Sequence, residues 1–297
     1  MNGPVLCVGE VLWDALPAGL YLGGAPVNVA CHLRELGRKV AFLSRVGDDE
    51  LGREIGRRLA RRELDLDLLQ IDPVLPTGFV RVDLDEKGSP SFEILAPAAW
   101  DALAAEAALE EAASEAAAIV FGSLAQRDER SRGTLETLLE PRAGCLRVFD
   151  VNLRPPYDRR EVVEASLKRS DLVKLNDDEM RRLAAWFGWP AASLEAAAAA
   201  LAEACEGATV CVTRGAGGAL LRHAGRTWEH PGFRVQVADA VGAGDAFLAA
   251  LLHGLLEDAD PEAALREANA LGAYVATQHG ATPRHDRQAI DALKQSS

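Results

Sequence analysis

A short glycine turn that ends in an aspartate is the part of this sequence best suited to chemistry. Residues 239–247 read Asp-Ala-Val-Gly-Ala-Gly-Asp-Ala-Phe, and the apolar residues that follow at helical spacing predict that the turn opens a helix. Gly242 and Gly244 allow a tight turn and leave successive backbone N–H groups exposed. Amides at the N-terminus of a helix form a site for an anion such as a phosphate.

Asp245 stands among these amides, and two roles fit it. It is either an N-capping residue of the helix or a general base that accepts a proton from a hydroxyl attacking a bound phosphate. In the second role we expect a low pKa, because the positive end of the helix dipole favours the ionised carboxylate. Proton transfer would then come late, as the hydroxyl becomes acidic.

Other polar residues lie where the chain enters a predicted helix. Asn28 follows a glycine pair and a proline suited to the first helical turn, so its amide either caps that helix or contacts a ligand. Asn176 and Glu179 are three residues apart and share one helix face. They are either a capping pair or a pair that reaches a magnesium-bound water or a phosphate oxygen.

The elements that would position these residues alternate along the chain. Short apolar runs predict strands at Val5–Val8, Val40–Val46, Ala118–Phe121, Leu146–Val151, Leu172–Leu175 and Thr209–Thr213. Helical periodicity predicts helices at Val27–Leu36, Asp49–Arg62, Glu129–Leu139, Asp177–Phe187 and Leu194–Cys205. This order indicates an α/β fold, a doubly wound, mostly parallel sheet with helices on both faces. Ligands of such sheets bind at the carboxyl ends of the strands.

One region departs from this alternation. Two strands, Gly78–Leu84 and Ser91–Ile94, flank a turn at Asp85–Gly88 and predict a hairpin. With the irregular stretch Trp13–Leu22 it would form a small β sheet, a candidate lid. The absence of repeats and linkers from the sequence predicts a single domain, 1–297, with a discontinuous lid from about 13–22 and 75–97. Leucine-interrupted alanine stretches near 102–118 and 191–204 predict packed helices.

Composition and missing motifs exclude several classes of protein. The 297 residues carry a net charge of −13, which argues against nucleic acid or an anionic membrane as a partner. The sequence predicts neither a signal peptide nor a membrane span, so we expect a cytoplasmic protein. Five dispersed cysteines indicate neither a disulfide framework nor a zinc site. Walker A, zinc-protease and serine-hydrolase motifs are absent from the sequence, and the glycines at 215–218 precede a predicted strand, unlike a dinucleotide fingerprint.

Two glycine motifs together resemble the signatures of the ribokinase-like (PfkB) family of carbohydrate kinases. Residues 239–247 resemble the second signature, and residues 22–30, Leu-Gly-Gly-Ala-Pro-Val-Asn-Val-Ala, with Gly37 resemble the first. The resemblance implies a three-layer ribokinase-like fold, Asp245 as catalytic base and an anion hole formed by Gly242, Ala243 and Gly244. It also implies a sugar site that contains Asp14, Gly23, Gly24 and Asn28.

The resemblance extends to a nucleotide site and to metal ions. It implies that ATP and Mg²⁺ are used, with Glu179 holding Mg²⁺ through water, and that nucleotide contacts come from Asn176, Glu179, Thr213, Gly215, Gly218, Gly242, Gly244 and Asn269. It also implies K⁺ or another monovalent cation at Asp239, Val241, Val275, Gln278 and Gly280. Arg284 stands where some relatives have a small hydroxyl residue, and a guanidinium cannot ligate a cation, so K⁺ dependence stays open.

Within that family, three segments resemble the fructokinase branch: 97–101, 121–127 and 150–155. They add Gln126 as a sugar contact and Arg154 as a group that grips a phosphate or a substrate carboxylate. We therefore expect an ATP-dependent kinase that converts fructose to fructose 6-phosphate, with dimerisation through the lid as a family expectation. Two alternatives stay open, a 2-keto-3-deoxygluconate kinase or other sugar kinase of the PfkB family, and a catalytically silent sugar-binding regulator. The intact glycine turn and Asp245 argue against the second.

Overall fold

A nine-stranded sheet forms the centre of the structure, a computed structural model that describes residues 3–16, 19–84, 90–190 and 192–295. Within those residues the strand order is β13-β12-β11-β10-β9-β8-β1-β4-β5. The strands of this sheet are β1 (Val5–Val8), β4 (Val40–Gly47), β5 (Leu69–Asp72), β8 (Ala118–Gly122), β9 (Leu146–Asp150), β10 (Leu172–Asn176), β11 (Thr209–Thr213), β12 (Ala219–His223) and β13 (Arg226–His230). The pairs from β5 to β11 are parallel, and β12 and β13 add an antiparallel edge.

Helices cover both faces of this sheet. The helices are α1 (Ala25–Glu35), α2 (Glu50–Arg61), α3 (Ala107–Glu115), α4 (Glu129–Leu138), α5 (Arg160–Leu167), α6 (Asp177–Phe187), α7 (Leu194–Ala204), α8 (Ala243–Leu256), α9 (Pro261–Ala276) and α10 (Arg287–Gln295). Side chains alternate along β1: Leu6 packs with residues of α3 to α7, and Cys7 packs with residues of α1, α2 and α8. Strands buried on both faces explain the continuous apolar runs in the sequence. The predicted three-layer α/β fold is confirmed.

A second, smaller sheet lies beside the main one. Its order is β3-β2-β6-β7, formed by β2 (Leu12–Leu16), β3 (Gly19–Gly23), β6 (Gly78–Leu84) and β7 (Pro90–Ile94). The β6–β7 pair is the predicted hairpin, and β2 pairs in parallel with β6, as expected for the lid. The predicted turn at 85–88 and residue 191 of the second alanine-rich stretch lie outside the described residues.

The first alanine-rich stretch is less helical than predicted. Helix α3 occupies only its second half, and Ala99–Ala102 form a 3₁₀ turn before it. The Gln70 side chain binds both the N–H and the carbonyl of Ala104, at 2.9 and 2.8 Å, and Ser131 accepts the N–H of Leu103. These long-range hydrogen bonds satisfy backbone groups that a helix would otherwise pair, so local propensity is overridden. None of the described helices is long and apolar enough to cross a membrane.

Candidate active site

A cavity of about 410 Å³ opens at the carboxyl ends of the central strands, between the main sheet and the lid. Val80 and Ile94 line it from the lid. Ten residues predicted from the sequence also line it: Asp14, Gly24, Asn28, Arg154, Asn176, Thr213, Val241, Gly242, Gly244 and Asp245. The sheet therefore brings together residues from both glycine motifs and from the ends of several strands, as predicted for a site of this fold.

The glycine turn forms the N-terminus of α8. Gly242 is the capping residue, with φ of +79°, and Ala246 donates its N–H to the Gly242 carbonyl at 2.9 Å. A side chain at 242 would also lie 2.2 Å from the carbonyl oxygen of Ala281, so both the backbone angle and the packing require glycine. Gly242 and Gly244 line the cavity, whereas Ala243 does not, and its N–H contacts the Ala240 carbonyl at 3.3 Å.

Asp245 does not cap this helix. It is the third residue of α8, and its Oδ2 accepts a hydrogen bond from Asn28 Nδ2 at 2.8 Å instead of one from the helix backbone. Burial raises the pKa of Asp245 to about 6, helped by the nearby Asp150 carboxylate and opposed by Lys174, Asn28 and Arg154. The predicted low pKa is therefore wrong, because partial loss of hydration outweighs the helix dipole at this position.

A buried ion pair lies beneath the glycine turn and was not predicted as functional. Lys174 Nζ is 3.0 and 3.2 Å from the carboxylate oxygens of Asp150, and it also lies 3.2 Å from the point where a side chain on Gly244 would begin. Burial alone would lower the pKa of Lys174, but the surrounding carboxylates raise it, so the ammonium keeps its charge. The available signal was a lysine inside a continuous apolar strand, where a charge is retained only with a partner.

Two carboxyl groups lie on the other side of the cavity. Burial raises the pKa of Glu10 to about 7 and that of Asp14 to about 6, while Arg154 lowers both. Glu10 Oε1 accepts the N–H of Ala25 at 3.3 Å, and Oε2 has no hydrogen-bond partner among the described residues. Gly23 makes room for Asp14, since a side chain at 23 would begin 2.1 Å from Asp14 Oδ2. Glu10 was not predicted as a site residue.

The raised pKa of Glu10 predicts a pH-dependent effect of Glu10→Gln on stability. Between about pH 4 and pH 7 the folded protein keeps a proton on Glu10 that the unfolded chain has lost, so this residue destabilises the fold as pH rises. The free energy of unfolding of Glu10→Gln minus that of the wild type should therefore increase from about pH 5 to pH 8. Denaturant melts at both pH values measure the difference. Glu136→Gln, on the exposed surface of α4, is the control, and an equal trend there would contradict the assignment.

The pair Asn176 and Glu179 forms a reciprocal cap of α6. Asn176 Oδ1 accepts the N–H of Glu179, and Glu179 Oε2 accepts the N–H of Asn176, both at 2.8 Å. Glu179 Oε1 accepts the N–H of Leu153 at 2.8 Å, and burial raises the pKa of the Glu179 carboxyl. The capping interpretation is thus observed. It leaves Asn176 on the cavity wall and Glu179 just behind it.

The predicted nucleotide loop lies between β11 and β12. Thr213 lines the cavity, and the loop closes where Arg214 donates its N–H to the Gly218 carbonyl at 2.7 Å. Gly218 has φ of +79° and abuts the carbonyl of His230, where a side chain would not fit. Gly215 has φ of +53° and open space around its Cα. Gly215 and Gly218 are not among the residues that line the cavity.

Two predicted contacts point elsewhere. Gln126 is 4% exposed, and its Nε2 donates to the Gly122 carbonyl and to Ser166 Oγ, both at 2.9 Å. Asn269 is 7% exposed within α9 and donates to the Leu265 carbonyl at 2.8 Å. Neither lines the cavity, because each amide satisfies buried polar groups, and the structure does not bring them to the site.

The positions predicted for a monovalent cation lie around a bridge between two loops. Asp239 accepts the N–H of Val241 at 3.0 Å and that of Gly280 at 3.2 Å, which joins the glycine turn to the chain after α9. Gln278 donates to Thr277 Oγ1, and the carbonyl of Val275 accepts the N–H of Gln278. Arg284 pairs with Glu35 at 2.6 Å. Cation binding here stays a prediction.

Known proteins resemble this chain over nearly its whole length. A fructokinase from Klebsiella pneumoniae is 33% identical over 299 residues, which cover 95% of each protein. A 2-dehydro-3-deoxygalactonokinase from Haloferax volcanii is 29% identical, covering 92% of this chain and 87% of that protein. The crystal structure of a fructokinase from Vibrio cholerae O395, with fructose, ADP and calcium bound, has a TM-score of 0.80 at 28% identity and covers 98% of this chain and 99% of its own.

The family match agrees with the geometry of the cavity. Residues 15–287 match the family described as pfkB family carbohydrate kinase, and this range includes the glycine turn, Asp245 and most of the cavity wall. The ribokinase-like fold implied by both glycine motifs is present, with the lid as a separate sheet. The chain belongs to the pfkB family of carbohydrate kinases.

Proposed function

We propose that this protein is an ATP-dependent fructokinase that transfers the γ-phosphoryl group to the 6-hydroxyl of fructose. The observation that carries the proposal is Asp245, a partly buried carboxylate held by Asn28 beside the amides of the glycine turn. Asp14, Gly24 and Arg154 line the same cavity and would bind the sugar. The similarity to fructokinases over nearly the whole chain supports the same activity.

Asp245 would act as the base for the attacking hydroxyl. Its pKa of about 6 leaves it ionised at neutral pH and makes it a better proton acceptor than an ordinary aspartate. Asn28 donates to Oδ2 and so leaves Oδ1 for the hydroxyl. The amides of Gly242 and Gly244, with the Lys174 ammonium beneath them, would stabilise charge on the transferring group. Closure of the lid would exclude water, which competes as a nucleophile.

ATP would bind against Asn176, Thr213 and the glycine loop at 215–218. Among the described residues there is no cluster of three metal-ligating side chains, and both Glu179 oxygens already accept backbone N–H groups. This donor set fits Mg²⁺ held mainly by ATP and water, with Glu179 and Asn176 as outer contacts. Bound Mg²⁺ would neutralise phosphate charge. The remaining attraction for ATP would come from Lys174, Arg154 and backbone amides.

The test is ADP release by the purified protein with MgATP across a panel of sugars, with and without K⁺. We expect fructose to give the highest kcat/KM of the neutral sugars and the product to be fructose 6-phosphate. A higher kcat/KM with another sugar would overturn the substrate. Absence of ADP release with every sugar would overturn the kinase proposal and favour the silent regulator.

Opposite shifts in the pH profile should follow from changing the buried ion pair. Lys174→Met removes a cation that lowers the pKa of Asp245, and Asp150→Asn removes an anion that raises it. We expect the acid limb of kcat/KM to move up in the first variant and down in the second, by about one pH unit each. Both variants bury an unpaired charge, so they serve as controls for each other's loss of stability. Shifts in the same direction would contradict the role of Asp245 as the titrating base.

A sugar-acid kinase is the second candidate, and Arg154 is the observation that favours it. Arg154 lines the cavity near Asp14 and Glu10, where a guanidinium could bind a substrate carboxylate in bidentate fashion. The sugar-acid kinase name of the Haloferax volcanii relative points the same way. Parallel assays with fructose and 2-keto-3-deoxygluconate distinguish the two, and activity on the acid alone would replace fructokinase as the function.

We also propose that the chain is one domain that dimerises through the lid. Leu20 and Tyr21 on the edge strand β3 are 43% and 42% exposed, an apolar surface that a second copy would cover. Sedimentation analysis of the wild type and of Tyr21→Glu tests this. A monomeric wild type, or an unaffected dimer in the variant, would contradict it.

A further inference from the structure

Two side chains on one face of helix α1 lie near the N-terminus of α8, one bound to the first turn of that helix and the other to the peptide that packs against it. Asn28 and His32 are four residues apart, one helical turn, so they point in the same direction. Asn28 binds Asp245 in the first turn of α8. His32, which is fully buried, binds the carbonyl of Ala281 through Nε2 at 3.0 Å.

The peptide held by His32 is the one that packs against Gly242. The Ala281 carbonyl oxygen, Cα and carbonyl carbon lie 2.2, 2.6 and 2.7 Å from the point where a Gly242 side chain would begin. If this peptide moved, it would either press against Gly242, the capping residue of α8, or leave a gap beside it. Asn28 and His32 thus fix the carboxylate and the backbone of the same helix terminus.

The hydrogen bonds of His32 determine its protonation. The Ala281 carbonyl can only accept, so Nε2 of His32 carries the hydrogen and Nδ1 of the neutral ring is an acceptor. His285 Nε2 lies 2.9 Å from that Nδ1 and must donate to it, which fixes the second ring as well. Burial and the neighbouring His285 lower the pKa of His32 to about 3, so this arrangement persists at neutral pH.

We propose that His32, oriented by His285, is a positioning residue that holds the Ala281 peptide against Gly242 and keeps the amides of the glycine turn aligned for phosphoryl transfer. The inference rests on the proposed kinase function. His32 touches neither the cavity nor Asp245, so its effect would pass through the backbone of α8. Flanking residues have anchors of their own: Arg62 binds the Thr282 carbonyl at 2.5 Å, and Tyr274 binds the Arg284 carbonyl at 2.8 Å.

Two substitutions separate positioning from bulk stability. In His32→Gln the side-chain amide nitrogen stands about as far from Cβ as Nε2 does and can still donate to Ala281, whereas in His32→Asn it cannot reach. We expect His32→Asn to lower kcat by about 10- to 100-fold with sugar KM little changed, and His32→Gln to restore kcat to within about 3-fold of the wild type. His223→Gln, at a histidine that binds Thr209 on the far edge of the sheet, is the control for histidine replacement.

Amide hydrogen exchange of residues 240–246 gives a second readout that needs no catalysis. We expect faster exchange at Ala246 in His32→Asn than in His32→Gln or the wild type. Near-wild-type kcat and exchange in His32→Asn, or an equal loss in both variants, would overturn the proposal.

If His32→Asn does not fold, His285→Gln tests the same contact. We expect this variant to lose less kcat than His32→Asn would, and an unchanged kcat would overturn the proposal. An inactive wild type would refute the kinase function, while hydrogen exchange would still test whether His32 holds the Ala281 peptide against Gly242.

Discussion

Asp245→Asn is expected to abolish nearly all phosphoryl transfer while leaving sugar binding intact. An amide has the shape of the carboxylate but cannot accept a proton at neutral pH, so kcat should fall by about 10³-fold or more. Asn28 can still donate to the new side-chain oxygen, since its Nδ2 now binds Asp245 Oδ2 at 2.8 Å. Removing a carboxylate whose pKa is raised in the folded protein should not destabilise the fold.

Two measurements check this prediction, ADP release at saturating sugar and MgATP, and the sugar Kd from calorimetry. Asp128→Asn is the matched control, because Asp128 caps α4, does not line the cavity, and asparagine caps a helix equally well. A variant at position 245 that keeps near-wild-type kcat would show that another group accepts the proton. A large loss of sugar affinity with little loss of kcat would make Asp245 a binding residue.

The parts of the fold that could be predicted are those set by local sequence. Strand β1 and helix α6 have the predicted bounds. The ends of an apolar run mark the ends of the strand, and a capping residue at the start of an amphipathic segment marks the start of the helix. Gly242 was identifiable because a tight turn that opens a helix favours a residue that tolerates a positive φ, and the structure gives Gly242 φ of +79°. The sequence predicted too long a helix at α3, because Ser131 and Gln70, the partners of residues 103 and 104 respectively, are distant in sequence.

The site was less predictable wherever a property depends on burial by other elements. The pKa of Asp245 is set by loss of water and by Asp150 on a different strand, and neither is visible in the turn itself. Gln126 has a residue type suited to sugar binding, but Ser166 on α5 offers it a buried partner instead. The net charge of −13 argued against nucleic acid and anionic membranes as partners, and it does not reveal that Lys174 and Arg154 place positive charge in the cavity.

Gly242→Ala is the second variant with a large expected effect. The added methyl would lie 2.2 to 2.7 Å from the backbone of Ala281, and the residue would have to keep φ of +79°. The turn must therefore shift, which misaligns the amides that would stabilise the transferring phosphoryl group. Loss of such donors lowers kcat by about 10²- to 10³-fold in acyl-transfer enzymes, and we expect a decrease of that order here. Steady-state kinetics with fructose measures it.

Gly188→Ala separates the steric contact from the cost of the left-handed backbone. Gly188 ends α6 with φ of +71° and has open space around it, so alanine there meets the same backbone penalty, about 1–2 kcal/mol, without a collision. Both variants should lower the free energy of unfolding, but only Gly242→Ala should lose activity at a temperature where both are folded. Equal activity in the two would mean that the turn tolerates displacement, and the anion hole would then have to be assigned to Lys174 and the metal rather than to the backbone of α8.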